Sequence, residues 1–136
     1  MNDGPVVVAV INTNPDIVRM WRISLEKAGF VVFEFHIEDI KLGAANVDTL
    51  LTQHGPKVIV YDVAPPYDMN WRFLDHLRTA TGFKDRRFVL TSVNPRRVLD
   101  IIGTTEETVF EVVGEADDVA EVVRAVKEAS RARATR

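Results

Sequence analysis

At 136 residues, with 46% hydrophobic and 27% charged residues, the chain has the make-up of one soluble globular domain with a full core. A formal net charge of -3 gives no electrostatic case for nucleic acid, and zero cysteines exclude disulfide and thiol chemistry and fit a reducing cytoplasm. His36, His54 and His76 lack metal-ligand spacing, and no stretch approaches the ~18 consecutive apolar residues of a membrane span.

In chain order, the opening "MNDGPVVVAV" has no basic region before its apolar run, so it does not read as a signal peptide. Val6 to Ile11 reads as a buried strand, and "NTNPD" then writes a helix start, with Asn14 as cap and Pro15 in the first turn. Over Asp16 to Ala28 the helical period places Ile17, Val18, Met20, Trp21, Leu25 and Ala28 on one side, with Arg19, Arg22 and Glu26 opposite. Ile23 alone breaks that stripe. After the "AGF" break, Val31 to Phe35 is a second strand. Asn46 caps a helix over "NVDTLLTQH" that ends at Gly55 and Pro56.

Lys57 to Tyr61 is a third strand, running into Asp62 and the double proline of "DVAPP". Arg87 to Leu90 is a fourth, and "SVNPRR" repeats the cap chemistry with Asn94 and Pro95. Arg96 and Arg97 then sit at the unfavourable end of a helix dipole, which a solvated helix start tolerates and a partner-facing role would explain. Val109 to Val113 is the fifth strand. Asp118 to Ser130 places Val119, Val122, Val123, Val126 and Ala129 opposite Glu121, Arg124 and Glu128, with Arg124 and Glu128 spaced to pair. The tail "RARATR" is a basic, solvated helix end.

Strands alternating with helices five times, each strand continuously apolar, predict a doubly wound five-stranded parallel sheet with helices on both faces. In such sheets the functional crevice lies beyond the carboxyl ends of the strands. That rule selects Asn12, Thr13, Asp62, Thr91 and the residues just after Val113. Taken alone, Asp62 is as well explained as a strand stop bonding to nearby backbone amides. Trp21 and Trp71 both read as packing residues rather than ligand platforms, with partial exposure beside Asp62 the alternative for Trp71, which follows the Asp62 loop.

From Val6 to Ser130 the chain resembles the receiver domain of bacterial two-component response regulators. "NPDIVRMWRISLEKAGFVV" is similar to the family's first helix and its Ala-Gly-aromatic ending, and "VIVYDVAPPYDMN" to its phosphoacceptor strand. "FVLTS" is similar to the fourth strand and its hydroxyl residue. The resemblance puts Asp62 on the phosphoacceptor position, Thr91 on the hydroxyl that contacts the phosphoryl group, and Phe110 on the aromatic switch position. It also implies a receiver-like domain over residues 1–130 with a basic tail over 131–136.

The departures from that pattern weigh as much. Asn12 and Thr13 replace the two carboxylates that hold magnesium, Val113 replaces the strand-5 lysine, Gly114 its proline, and Asn70 a usual glycine. Magnesium is a hard ion that needs carboxylate oxygens, and phosphoryl transfer rests on neutralising the transferring oxygens. The resulting expectation is a stand-alone, degenerate signalling module, not an enzyme, that binds a protein partner and has no cofactor. Magnesium enters only if the phosphoacceptor site functions. A histidine kinase or another signalling protein is the expected partner. A homodimer would use the family's fourth helix, fifth strand and fifth helix, here Pro95 to Gly103, Val109 to Val113 and Asp118 to Lys127. Two alternatives remain: a functional phosphoacceptor at Asp62, and a small-molecule-binding or enzymatic flavodoxin-like domain using the polar lip of Asn12, Thr13, Asn14 and Thr91.

Overall fold

The computed structural model describes residues 5–12, 14–36, 53, 55–77, 86–103, 109–114 and 119–131, with backbone alone for 109–111. The elements in order are β1 (Val7–Asn12), α1 (Pro15–Lys27), β2 (Val31–His36), β3 (Val58–Asp62), α2 (Tyr67–Leu77), β4 (Arg87–Thr91), α3 (Pro95–Ile102), β5 (Val109–Val113) and α4 (Val119–Arg131). The helix expected after Asn46 lies outside the described residues, as do Thr13, Asp118 and the tail beyond Arg131.

All five strands are parallel, in the order β2-β1-β3-β4-β5. The strand order reverses between β1 and β3, the point at which open α/β sheets carry their crevice, at the carboxyl ends of the strands. The strands are apolar on both faces because both are covered. Ala9, Ile11, Ile59, Tyr61, Phe88 and Leu90 meet Trp71, Leu74 and Val98 from α2 and α3. Their alternates Val8, Val10, Val58, Val60 and Val89 meet Val18, Trp21, Leu25, Val122, Ala125, Val126 and Ala129 from α1 and α4. The one-residue alternation fixes the register, since a slip would swap the two faces of every strand.

Helix ends follow the chemistry written in the sequence. The Asn14 side chain accepts from Asp16 N at 2.9 Å and Ile17 N at 3.4 Å. The Asn94 side chain accepts from Arg97 N at 3.2 Å. Two of the donors that a helix start leaves open are thus satisfied on α1 and one on α3. At the far end of α1, Gly29 takes φ +100°, a backbone turn that a side chain would strain, and the chain enters β2.

One sequence expectation needs adjusting. Met20, placed on the apolar stripe of α1, is 38% exposed, because the buried arc of that helix is narrower and centred on Val18, Trp21 and Leu25. Ile23, which broke the stripe, is exposed. Trp71 is a packing residue, as read from the sequence, buried in the core on the inner face of α2 with Leu74 and not partly exposed beside Asp62.

Candidate functional site

Three strands end together at the crevice. Asp62 closes β3 and pairs in register with Thr91, the last residue of β4. Asn12 closes β1, one residue beyond the Ile11–Tyr61 pair, so it runs alongside Asp62 on the other flank. Asn12 and Thr91 are both buried, while Asp62 is half-buried at the sheet's lip.

The Thr91 hydroxyl donates to Asp62 Oδ1 at 2.6 Å, a length typical of a hydrogen bond to a charged acceptor. The backbone binds the two strand ends further, with Val63 N donating to Thr91 O at 2.9 Å. Burial pushes the Asp62 carboxyl above its ordinary range, and the Thr91 bond only partly opposes this. Burial likewise raises the neighbouring Tyr61 hydroxyl, with the charge of Asp62 adding to the effect. Among the described residues no backbone amide donates to Asp62. The plain strand-stop arrangement, in which amides would pull the carboxyl down, is therefore not the one observed.

The loops flanking Asp62 and Thr91 are tied by polar side chains. The Pro65-Pro66 bond is cis, and the Asn70 side chain reaches back from α2 to donate to Ala64 O at 2.6 Å. Ser92 is buried; its Oγ accepts from Asn94 N at 3.0 Å and its own amide donates to Val113 O at 3.2 Å. Arg97 and Asp68 join the first turns of α3 and α2 at 3.3 Å on the surface. Sequence reasoning missed these roles for Asn70 and Ser92. The available signal was a polar residue one helical turn after a proline pair, and a serine two residues before a capping asparagine.

Phe110 lies within β5, where the register passes from Phe88–Val109 to Val89–Glu111. It is therefore the extra residue of a bulge, a feature frequent beside functional sites. Val113 is buried against the α1 and α4 side of the sheet. Gly114 lies beside the start of α3, where a Cβ would stand 3.9 Å from Pro95 Cγ.

The described residues do not fit a divalent cation. Asp62 brings one carboxylate, with Oδ1 engaged by Thr91, and the Asn12 side-chain oxygen accepts from Asn14 N at 3.0 Å. No group of three or more His, Asp or Glu among the described residues could hold a metal. Magnesium, which sheds water reluctantly, is usually held through carboxylates together with phosphate.

The chain matches no family model and no curated protein. Solved structures do resemble it. A response regulator from Thermotoga maritima superposes with a TM-score of 0.69 at 14% identity, covering 94% of this chain and 99% of that one. A CheY-like response regulator receiver domain from Methylobacillus flagellatus gives 0.62 at 15%, covering 93% and 99%. An orphan response regulator of H. pylori gives 0.64 at 14%, covering 96% and 100%. The fold is that of response regulator receiver domains. Asp62 and Thr91 stand side by side at the carboxyl ends of β3 and β4. Among the described residues no helix is long and apolar enough to cross a membrane.

Proposed function

We propose that the chain is a receiver-type signalling module that acts by binding a protein partner, without magnesium and without phosphorylation of Asp62. The observation that carries this reading is the composition of the crevice. A lone carboxylate is held by Thr91, while the neighbouring strand end supplies Asn12, whose oxygen already serves the backbone. Without a carboxylate cluster there is little to hold magnesium. With Val113 turned into the core, the end of β5 brings no cation to a transferring phosphoryl group. On this reading residues 1–130 are the module and 131–136 a basic tail, and Phe110 is a structural bulge residue rather than a switch. A histidine kinase or another signalling protein is the class of partner proposed.

A second reading is favoured by one contact: the 2.6 Å pair of Thr91 and Asp62 is the arrangement a phosphoacceptor site would also need. Incubation with a small phosphodonor, with and without magnesium, separates the two. A metal-independent binding module stays unlabelled in both conditions. Magnesium-dependent label on Asp62 would establish the second reading instead.

A further inference from the structure

The outward face of α1 carries a pattern that core packing does not use. The buried arc of this helix is Val18, Trp21 and Leu25. At about 100° per residue, Asp16, Met20, Ile23 and Lys27 fall together within an arc of roughly 60° on the far side. All four are exposed, Met20 by 38% and Ile23 by 48%. Their spacing of four, three and four residues is that of a seam along which one helix packs on another. Single exposed apolar residues are ordinary. Two neighbours at seam positions, bracketed by an acid and a base, are an ordered set.

Reversed end for end, that set is its own complement. A second α1 laid antiparallel on the first brings Asp16 to Lys27 of the other copy and Met20 to its Ile23, and a two-fold axis repeats both contacts. A parallel arrangement would set Asp16 against Asp16 and Lys27 against Lys27, so the charges reject it. The helix dipoles also favour the antiparallel pair. Arg22 pairs with Glu26 and with Glu34 of β2, each at 3.1 Å, on the flank of α1 toward the sheet edge, and the seam lies outside that network. On the same side of the sheet α4 exposes Lys127 and Arg131, which would oppose like charges if two copies met across the whole layer. Contact is therefore confined to α1.

From this we infer that α1 is a self-association surface on which a second copy of this chain docks antiparallel, Met20 against Ile23 and Asp16 against Lys27. This face is distinct from the one that a homodimer through α3, β5 and α4 would use, and it draws on no residue of the Asp62 crevice. Two 13-residue helices meet over about 20 Å, which falls short of a standard stable interface. The dimer is accordingly weak and concentration-dependent.

Sedimentation equilibrium of the full chain from micromolar to millimolar concentration tests this, with tryptophan fluorescence from Trp21 beneath the seam checking that each variant stays folded. The expected result is a reversible monomer–dimer equilibrium. Ile23→Ser takes two isoleucine side chains out of each dimer and should weaken it by about tenfold or more. Asp16→Lys should weaken it too, and Asp16→Lys combined with Lys27→Asp should restore it. Leu99→Ser, at a half-exposed position on α3, should leave it unchanged. The chain has no cysteine, so Asp16→Cys and Lys27→Cys each carry a single thiol. Under mild oxidation a mixture of the two should form the mixed disulfide faster than either variant forms its own, because identical positions lie about 16 Å apart along an antiparallel pair. A chain monomeric up to millimolar concentration, or a dimer lost in Leu99→Ser and kept in Ile23→Ser, would overturn the inference. Self-disulfides forming as fast as the mixed one would overturn the antiparallel pairing. None of these variants touches Asp62, so their failure leaves the proposed function standing.

Discussion

Replacing Thr91 by valine isolates the contact that links β3 and β4 at the crevice. Valine keeps the shape and the β-branch, so the fully buried site is not emptied and the main loss is the donor to Asp62 Oδ1. A hydrogen bond to a charged group contributes about 1.5–3 kcal/mol, and the half-exposure of Asp62 puts this one near the lower end, about 1.5 kcal/mol. For a domain of this size that corresponds to a fall in Tm of roughly 5 °C. When Asp62 is protonated the bond joins neutral groups and is about half as strong, so the loss should shrink in acid. Tryptophan fluorescence follows urea unfolding of both helix layers, because Trp21 is buried on one side of the sheet and Trp71 on the other. The decisive comparison is a double-mutant cycle with Asp62→Ala, which should show coupling of about 1.5 kcal/mol at neutral pH. Coupling indistinguishable from zero would mean that the buried hydroxyl stabilises β4 without reference to Asp62, and the electrostatic description of the site would fail.

Other consequences follow from the same geometry. The folded state holds the Asp62 carboxyl above its unfolded value, so the cost of its charge appears as pH rises through the unfolded value and is complete above the folded one. Asp62→Asn should therefore be more stable than wild type at neutral pH, with the gain gone below the ordinary carboxylate range; urea midpoints at the two pH values check this. Asn14→Ala should cost about 1 kcal/mol in the same assay, since two amides of α1 lose their acceptor. Leu74→Ala, at a fully buried position in the α2 layer, should cost about 2–5 kcal/mol, and a smaller loss would mean that this layer collapses around the cavity.

Much of the architecture was legible because local chemistry and global fold agree. The Asn-Pro pairs at 14–15 and 94–95 mark helix starts whose side chains do accept the first-turn amides. The short Val-rich runs are apolar on both faces because the sheet is covered on both. Trp71 packs in the core, as its reading as a packing residue expects, because the α2 period turns it inward with Leu74 in spite of its closeness in sequence to Asp62. Met20 was misplaced because a periodic stripe gives the centre of a buried arc better than its edges. At the site, strand order alone brought Asp62 and Thr91 into register, and no local pattern could have stated their hydrogen bond. The role of Asn12 as an acceptor for Asn14 N was equally hidden, since it depends on how β1 turns into α1.

The proposal that the crevice works without a metal is open to one direct measurement. Manganese, a paramagnetic substitute for magnesium, broadens the amide resonances of any residue near its bound position. A site built from one carboxylate and Asn12 predicts no saturable broadening at Asn12, Asp62 or Thr91 at millimolar manganese. Saturable broadening confined to those three residues, and lost in Asp62→Asn, would contradict it and return Asp62 to metal-dependent chemistry.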